Sequence, residues 1–136
     1  MKFEISNTFE VFGDRTFRGK TVSEDAIQIS FVAWVRYNYP SIAPLLMHPK
    51  NEGKRTPQQV VHEKKMGGIT TGASDVIILG APSFVLEIKC DDHTKSKWQK
   101  GQVDFLNDAS SNGCFAAVAL GLAACKEAFI AWYSLK

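Results

Sequence analysis

Gly72-Ala-Ser-Asp75-Val-Ile-Ile-Leu79-Gly80-Ala-Pro-Ser83-Phe84-Val-Leu-Glu87-Ile-Lys89 is the stretch on which the reading of this chain turns. Val76 to Leu79 is an unbroken apolar run, the pattern of a strand covered on both faces. Gly80-Ala81-Pro82-Ser83 is turn chemistry, and Phe84 to Ile88 is a second apolar run with one charge set into it. Together they predict a tight hairpin. If it is symmetric about Ala81, Asp75 faces Glu87 across the two strands, with Cβ atoms roughly 5 Å apart. Two carboxylates at that separation repel, and each loses hydration at the edge of a core. A divalent cation between them would remove the penalty. Side chains alternate along a strand, so Lys89 returns to the face of Glu87 while Ile88 points away. One patch is therefore expected to gather Asp75, Glu87 and Lys89 around a place where a metal can sit. The bland alternative is a solvated Glu87–Lys89 pair on a surface hairpin, and the apolar residues on either side argue against it.

The 136 residues suit a single domain, 1–136, long enough for a real core. Hydrophobic residues at 45% and charged residues at 22% are ordinary for a soluble globular protein. A net charge of +2 is too mild to establish a nucleic-acid partner, so the placement of charge has to carry that question. Cys90, Cys114 and Cys125 are odd in number and lack zinc-type spacing. They read as small apolar residues in a reducing, cytoplasmic setting. The polar first twenty residues do not resemble a signal peptide, and no apolar run approaches the ~20 residues of a membrane span.

Residues 1–20 alternate around Phe3, Ile5, Phe9 and Val11 and turn at Gly13-Asp14, which predicts an N-terminal hairpin or arm ahead of a core spanning 21–136. Thr21-Val-Ser-Glu24 has the form of a capping box, with Thr21 as the cap. The helix it opens carries Ile27, Phe31, Trp34 and Val35 on one stripe and ends before Pro40. Glu24 and Gln28 share a face of its first turn. Ile42 to Met47 reads as a strand, His48 to Gly53 as a loop, and Pro57 to about Lys65 as a second helix. His48 is read as a local hydrogen-bonding residue, not a metal ligand. Lys50, Lys54, Arg55, Lys64 and Lys65 concentrate positive charge there, and Lys95, Lys97 and Lys100 do so around Trp98. Beside a candidate metal site, such runs suit a phosphate-binding rim. A helix to about Ser110, a strand from Phe115 to Leu120 and a last helix from Ala123 to Leu135 complete an α/β layer with a central mixed sheet.

In order and spacing these motifs resemble those of a small, stand-alone VRR-Nuc protein, a branch of the PD-(D/E)xK nucleases common in phages. The resemblance runs from about Thr21 to Tyr133. It takes in Glu24-x-x-x-Gln28, His48-Pro-x-Asn51-Glu-Gly53 followed by Arg55, and Gly68-Ile-x-x-Gly72-x-x-Asp75. Glu87-Ile-Lys89 and Gln102-x-x-x-Leu106 ahead of Gly113 complete it. Ser74 departs from the family's usual proline before the aspartate, and Gln99 competes with Gln102 as the helix glutamine. The spacing to Leu106 and Gly113 favours Gln102.

The resemblance implies a restriction-endonuclease-like fold and Mg²⁺-dependent hydrolysis of DNA phosphodiesters, with Mn²⁺ as a substitute. It assigns metal ligation to Asp75, Glu87 and the backbone carbonyl of Ile88, with Glu24 at a second ion or a water. Lys89 and Gln102 join Glu24, Asp75 and Glu87 as catalytic residues, and Gln28 supports them. Lys50, Asn51, Lys54, Arg55, Lys64, Lys65, Lys95, Lys97 and Lys100 are expected to hold DNA. Single-domain members of the family further imply a homodimer acting on branched DNA such as Holliday junctions. The rival expectations are a nicking or restriction-type enzyme on linear duplex and a non-catalytic DNA-binding module of the same fold.

Overall fold

The central hairpin forms in the register its symmetry predicts. In the computed structural model, which describes residues 1–49 and 55–136, β3 (Val76–Ile78) and β4 (Phe84–Lys89) run antiparallel. Val76 pairs with Leu86, Ile77 with Val85 and Ile78 with Phe84. The turn is closed by Ser83, whose hydroxyl donates to the Gly80 carbonyl and accepts from its N–H. Leu79, expected in the strand, is instead about half exposed beside the turn.

Five strands form one sheet in the order β1-β5-β4-β3-β2. β1 (Glu10–Phe12) and β4 both run parallel to β5 (Phe115–Leu120), while β2 (Leu46–Met47) is antiparallel to β3. β4 and β5 lie inside the sheet with both faces covered, which is why β5 reads as an unbroken apolar run and β4 as an apolar run broken by Glu87 and ended by Lys89. On one face, α1 (Glu24–Asn38) and α4 (Leu122–Tyr133) bury Phe31, Val35, Phe129 and Trp132 against Phe84, Leu86 and Ile88. On the other, α3 (Gln102–Ser111) and the N-terminal segment pack Leu106 and Phe9 on Val85, Ala116 and Val118. α2 (Pro57–Lys65) buries no residue and is capped by Thr56 and Gln59 in a reciprocal box.

Three local expectations are corrected. Residues 1–20 form no hairpin: Glu10, Val11 and Phe12 pair with Ala117, Val118 and Ala119, since the open edge of β5 supplies the ladder. The segment is thus an edge strand of the sheet itself. The cap of α1 is Ser23, which accepts from the Ala26 N–H at 3.1 Å, while the Thr21 hydroxyl exchanges hydrogen bonds with Asp91. Only Leu46 and Met47 of the expected strand 42–47 join the sheet. Pro44 has no N–H for a ladder, and Ala43–Leu45 form a 3-10 turn after the Tyr39 carbonyl has taken the N–H groups of Ile42 and Ala43. Among the described residues, no helix is long and apolar enough to cross a membrane.

Candidate active site

Alternation along β4 sorts its side chains between the two cores. Phe84, Leu86 and Ile88 face α1 and α4, so Val85, Glu87 and Lys89 face α3. β3 does the same one strand over, placing Asp75 on the α3 side just ahead of the ladder. Asp75 Oδ2 accepts from the Ile88 N–H at 2.7 Å, extending the hairpin by one side-chain bond. The hairpin thereby brings together the two carboxylates and the ammonium that the sequence placed on one patch. Glu87 and Lys89 are not a solvated pair on a surface hairpin: each is only 1% exposed, while Asp75 is half-buried.

That burial sets the electrostatics. Glu87 is pushed up from its ordinary 4.5 to about 10, first by loss of hydration and then by the adjoining Asp75 carboxylate, with Lys89 opposing. Its Oε1 is buried and has no hydrogen-bond partner among the described residues. Its Oε2 accepts from Gln102 Nε2 at 3.2 Å and lies 3.9 Å from Lys89 Nζ. The Lys89 ammonium donates to Gln102 Oε1 and to the Lys97 carbonyl, both at 2.9 Å. Gln102 therefore bridges Glu87 and Lys89, and Gln99 contributes backbone groups: its N–H donates to Gln102 Oε1 at 2.8 Å and its carbonyl accepts from the Gln102 N–H at 3.2 Å.

A crossing of two glycines brings Gln102 there. Gly72 and Gly101 both have positive φ, +84° and +85°, and a Cβ on Gly72 would lie 2.2 Å from the Gly101 carbonyl carbon. The chain leading into Asp75 thus rests on the residue that opens α3, a close approach only glycine permits. Around Asp75 an open cleft of about 350 Å³ is lined by Gln28, His48, Thr70 and Thr71 among others. His48 Nδ1 is hydrogen-bonded to the Asp75 backbone carbonyl, the local role read for it.

Glu24 stands on the helix side. Its Oε2 accepts from Ser96 Oγ at 2.7 Å, and Ser96 Oγ in turn accepts from the Cys90 N–H at 3.0 Å. It does not join Asp75 and Glu87 in a tight carboxylate group: among the described residues, no three His, Cys, Asp or Glu are gathered so as to hold an ion by themselves. Of the basic residues, Arg55 is ion-paired with Glu63, and Lys95 donates to the Gly19 carbonyl at 2.7 Å. Lys64, Lys65, Lys97 and Lys100 are exposed, while Lys50, Asn51 and Lys54 lie outside the described residues.

Similarity to a solved structure coincides with this architecture. The chain aligns with a structure titled "VRR_NUC domain protein" at a TM-score of 0.66 and 22% identity, over 86% of this chain and 93% of that one. The chain has the fold of a VRR-Nuc domain protein. No family model matches the sequence, and no curated protein does. In this VRR-Nuc fold a mixed sheet is flanked by helices, and in this chain the hairpin end is where Asp75 and Glu87 meet Lys89. Sequence reasoning missed two side chains there: Ser96, which holds Glu24, and Trp98, whose ring lies under the Lys89 ammonium. Both come from an irregular loop, where no periodicity points a side chain.

Proposed function

We propose that this chain is a metal-dependent DNA endonuclease. The observation that carries the reading is the buried Glu87 with Lys89 beside it and the half-buried Asp75 adjoining it at the cleft, in which Glu87 Oε1 lacks a partner among the described residues. An orphaned oxygen on a carboxylate raised to about 10 supports a reading in which a positive charge sits between the two carboxylates. A proton serves when nothing else is present, and a hard divalent cation fits the same all-oxygen donors. Asp75, Glu87 and the Ile88 carbonyl would hold Mg²⁺ or Mn²⁺, with Glu24 orienting water from the helix side. When bound, such an ion supplies Lewis-acid chemistry, polarising a phosphate oxygen and acidifying water.

The chain's own residues do the rest. Lys89 keeps a fixed positive charge where negative charge develops on the phosphate. Gln102 holds that ammonium and one oxygen of Glu87 in a common frame. Gln28 lines the cleft on the Asp75 side and supports the bound strand. The exposed Lys64, Lys65, Lys97 and Lys100, with Lys50, Asn51, Lys54, Arg55 and Lys95, hold DNA through its phosphates without reading sequence. The substrate we infer is branched DNA, cut by a homodimer whose two sites address symmetric strands of a junction.

Cleavage of a labelled four-way junction and a matched linear duplex, in Mg²⁺, Mn²⁺ or EDTA, tests this with wild type and Lys89→Ala side by side. Metal-dependent junction cutting that the variant loses supports the whole reading. Equal cutting of both DNAs keeps the nuclease and removes the branched substrate. Folded protein that binds DNA and cuts neither refutes the enzyme.

A further inference from the structure

We infer that Trp98 is a positioning residue for Lys89, and that the N-terminal segment holds Trp98 in place. The inference rests on the reading of Lys89 as the site's lysine. A lysine reaches its target on a flexible four-carbon stem, so a fixed ammonium needs walls. Here one loop supplies them. The Lys89 ammonium stands 5.5 Å from the Trp98 ring centroid and donates to the carbonyl of Lys97, the residue just before it. An indole face is the most favourable aromatic surface for a cation, and it stabilises the charged amine without competing for its protons.

Trp98 is itself tied down from outside. Its Nε1–H donates to the Lys2 carbonyl at 2.9 Å, and the Phe9 ring meets it edge-on at 5.8 Å. Phe9 is buried, and the segment around it is pinned to α3: the Thr8 N–H donates to Asn107 Oδ1 at 2.9 Å, and the Thr8 carbonyl accepts from Ser110 Oγ at 3.1 Å. The ring is only half-buried, yet its N–H is held by the N-terminal segment and a cation stands over its face. The first residues of the chain thus complete the reactive patch at second hand. They hold the tryptophan, the tryptophan and Lys97 hold the lysine, and Gln102 closes the third side.

The test uses the full chain and two readouts. Lysines are acetylated with limiting acetic anhydride and followed by peptide mass spectrometry, with exposed Lys100 as internal reference. Wild-type Lys89 should react far more slowly than Lys100. Trp98→Ala and Phe9→Ala should speed Lys89 acetylation by about tenfold, and Trp98→Phe, which keeps a ring but loses the Lys2 anchor, by roughly two- to threefold. On DNA in Mg²⁺, Trp98→Ala should lower kcat with KM unchanged, and Trp98→Phe should recover most of it. Wild-type Lys89 reactivity in folded Trp98→Ala, or a kcat at or above wild type, overturns the inference. Should the alanine variants fail to fold, Trp98→Phe decides: no change in Lys89 acetylation refutes it. Continued cutting by Lys89→Ala would instead bring down the reading of Lys89 as the site's lysine, and no cutting by wild type the nuclease reading, with the acetylation result still judging Trp98.

Discussion

Replacing Glu87 with glutamine should stabilise the metal-free protein at neutral pH, although it alters a buried, hydrogen-bonded cluster. Glu87 is raised from 4.5 to about 10 in the fold, chiefly by burial and then by Asp75. Below pH 4.5 both folded and unfolded chains carry the proton, and the group costs the fold nothing. Above 4.5 the unfolded chain releases the proton while the folded chain keeps it until about pH 10, so stability falls as pH rises through that window. The slope is about 1.4 kcal/mol per pH unit, and pH 7 lies about 2.5 units above 4.5, a cost of about 3 kcal/mol. Glutamine has the same shape, does not ionise, and its amide can donate to Asp75. Urea unfolding in EDTA at pH 4.5, 6, 7 and 8 reads the difference directly. The variant should match wild type at the lowest pH and exceed it by about 3 kcal/mol, or roughly 10 °C in Tm, at pH 7. Adding Mg²⁺ should then raise wild type and leave the variant unmoved, because the cation replaces the proton between the two carboxylates. A stability gap that does not vary with pH would refute the reasoning.

Further outcomes follow from the same geometry. Asp75→Asn and Asp75→Ala should both lose cleavage, but only the alanine leaves the Ile88 N–H without its partner, so it alone should lose about 1–3 kcal/mol in denaturant melts. Gly72→Ala forces a Cβ onto the Gly101 backbone at positive φ, and its Tm should fall by 10 °C or more, on the order of 3 kcal/mol. Ser23→Ala should cost about 1 kcal/mol through the lost cap of α1, measured by thermal unfolding. Lys89→Arg should not restore cleavage lost in Lys89→Ala, since a guanidinium cannot fit between Gln102, the Lys97 carbonyl and Trp98.

The hairpin and its register were open to sequence reasoning because both are local. Two apolar runs about a Gly-Ala-Pro-Ser turn fix which residues oppose each other, and period-two alternation then sends Asp75, Glu87 and Lys89 to one face. The helices announced themselves by stripe and by stop signals in the same way, down to Pro57–Lys65. What the tertiary structure decided were matters of competition between partners far apart in the chain. Thr21 looks like a cap until Asp91, 70 residues away, takes its hydroxyl and Ser23 inherits the role. The first twenty residues look like a hairpin or an arm until the free edge of β5 offers residues 10–12 a ladder. The depth of the site belongs here too: sequence placed Glu87 and Lys89 together, but only the packing of α3 and Trp98 over them made both nearly inaccessible. A carboxylate's hydration is lost to whatever covers it, and the residues that cover this one come from other parts of the chain.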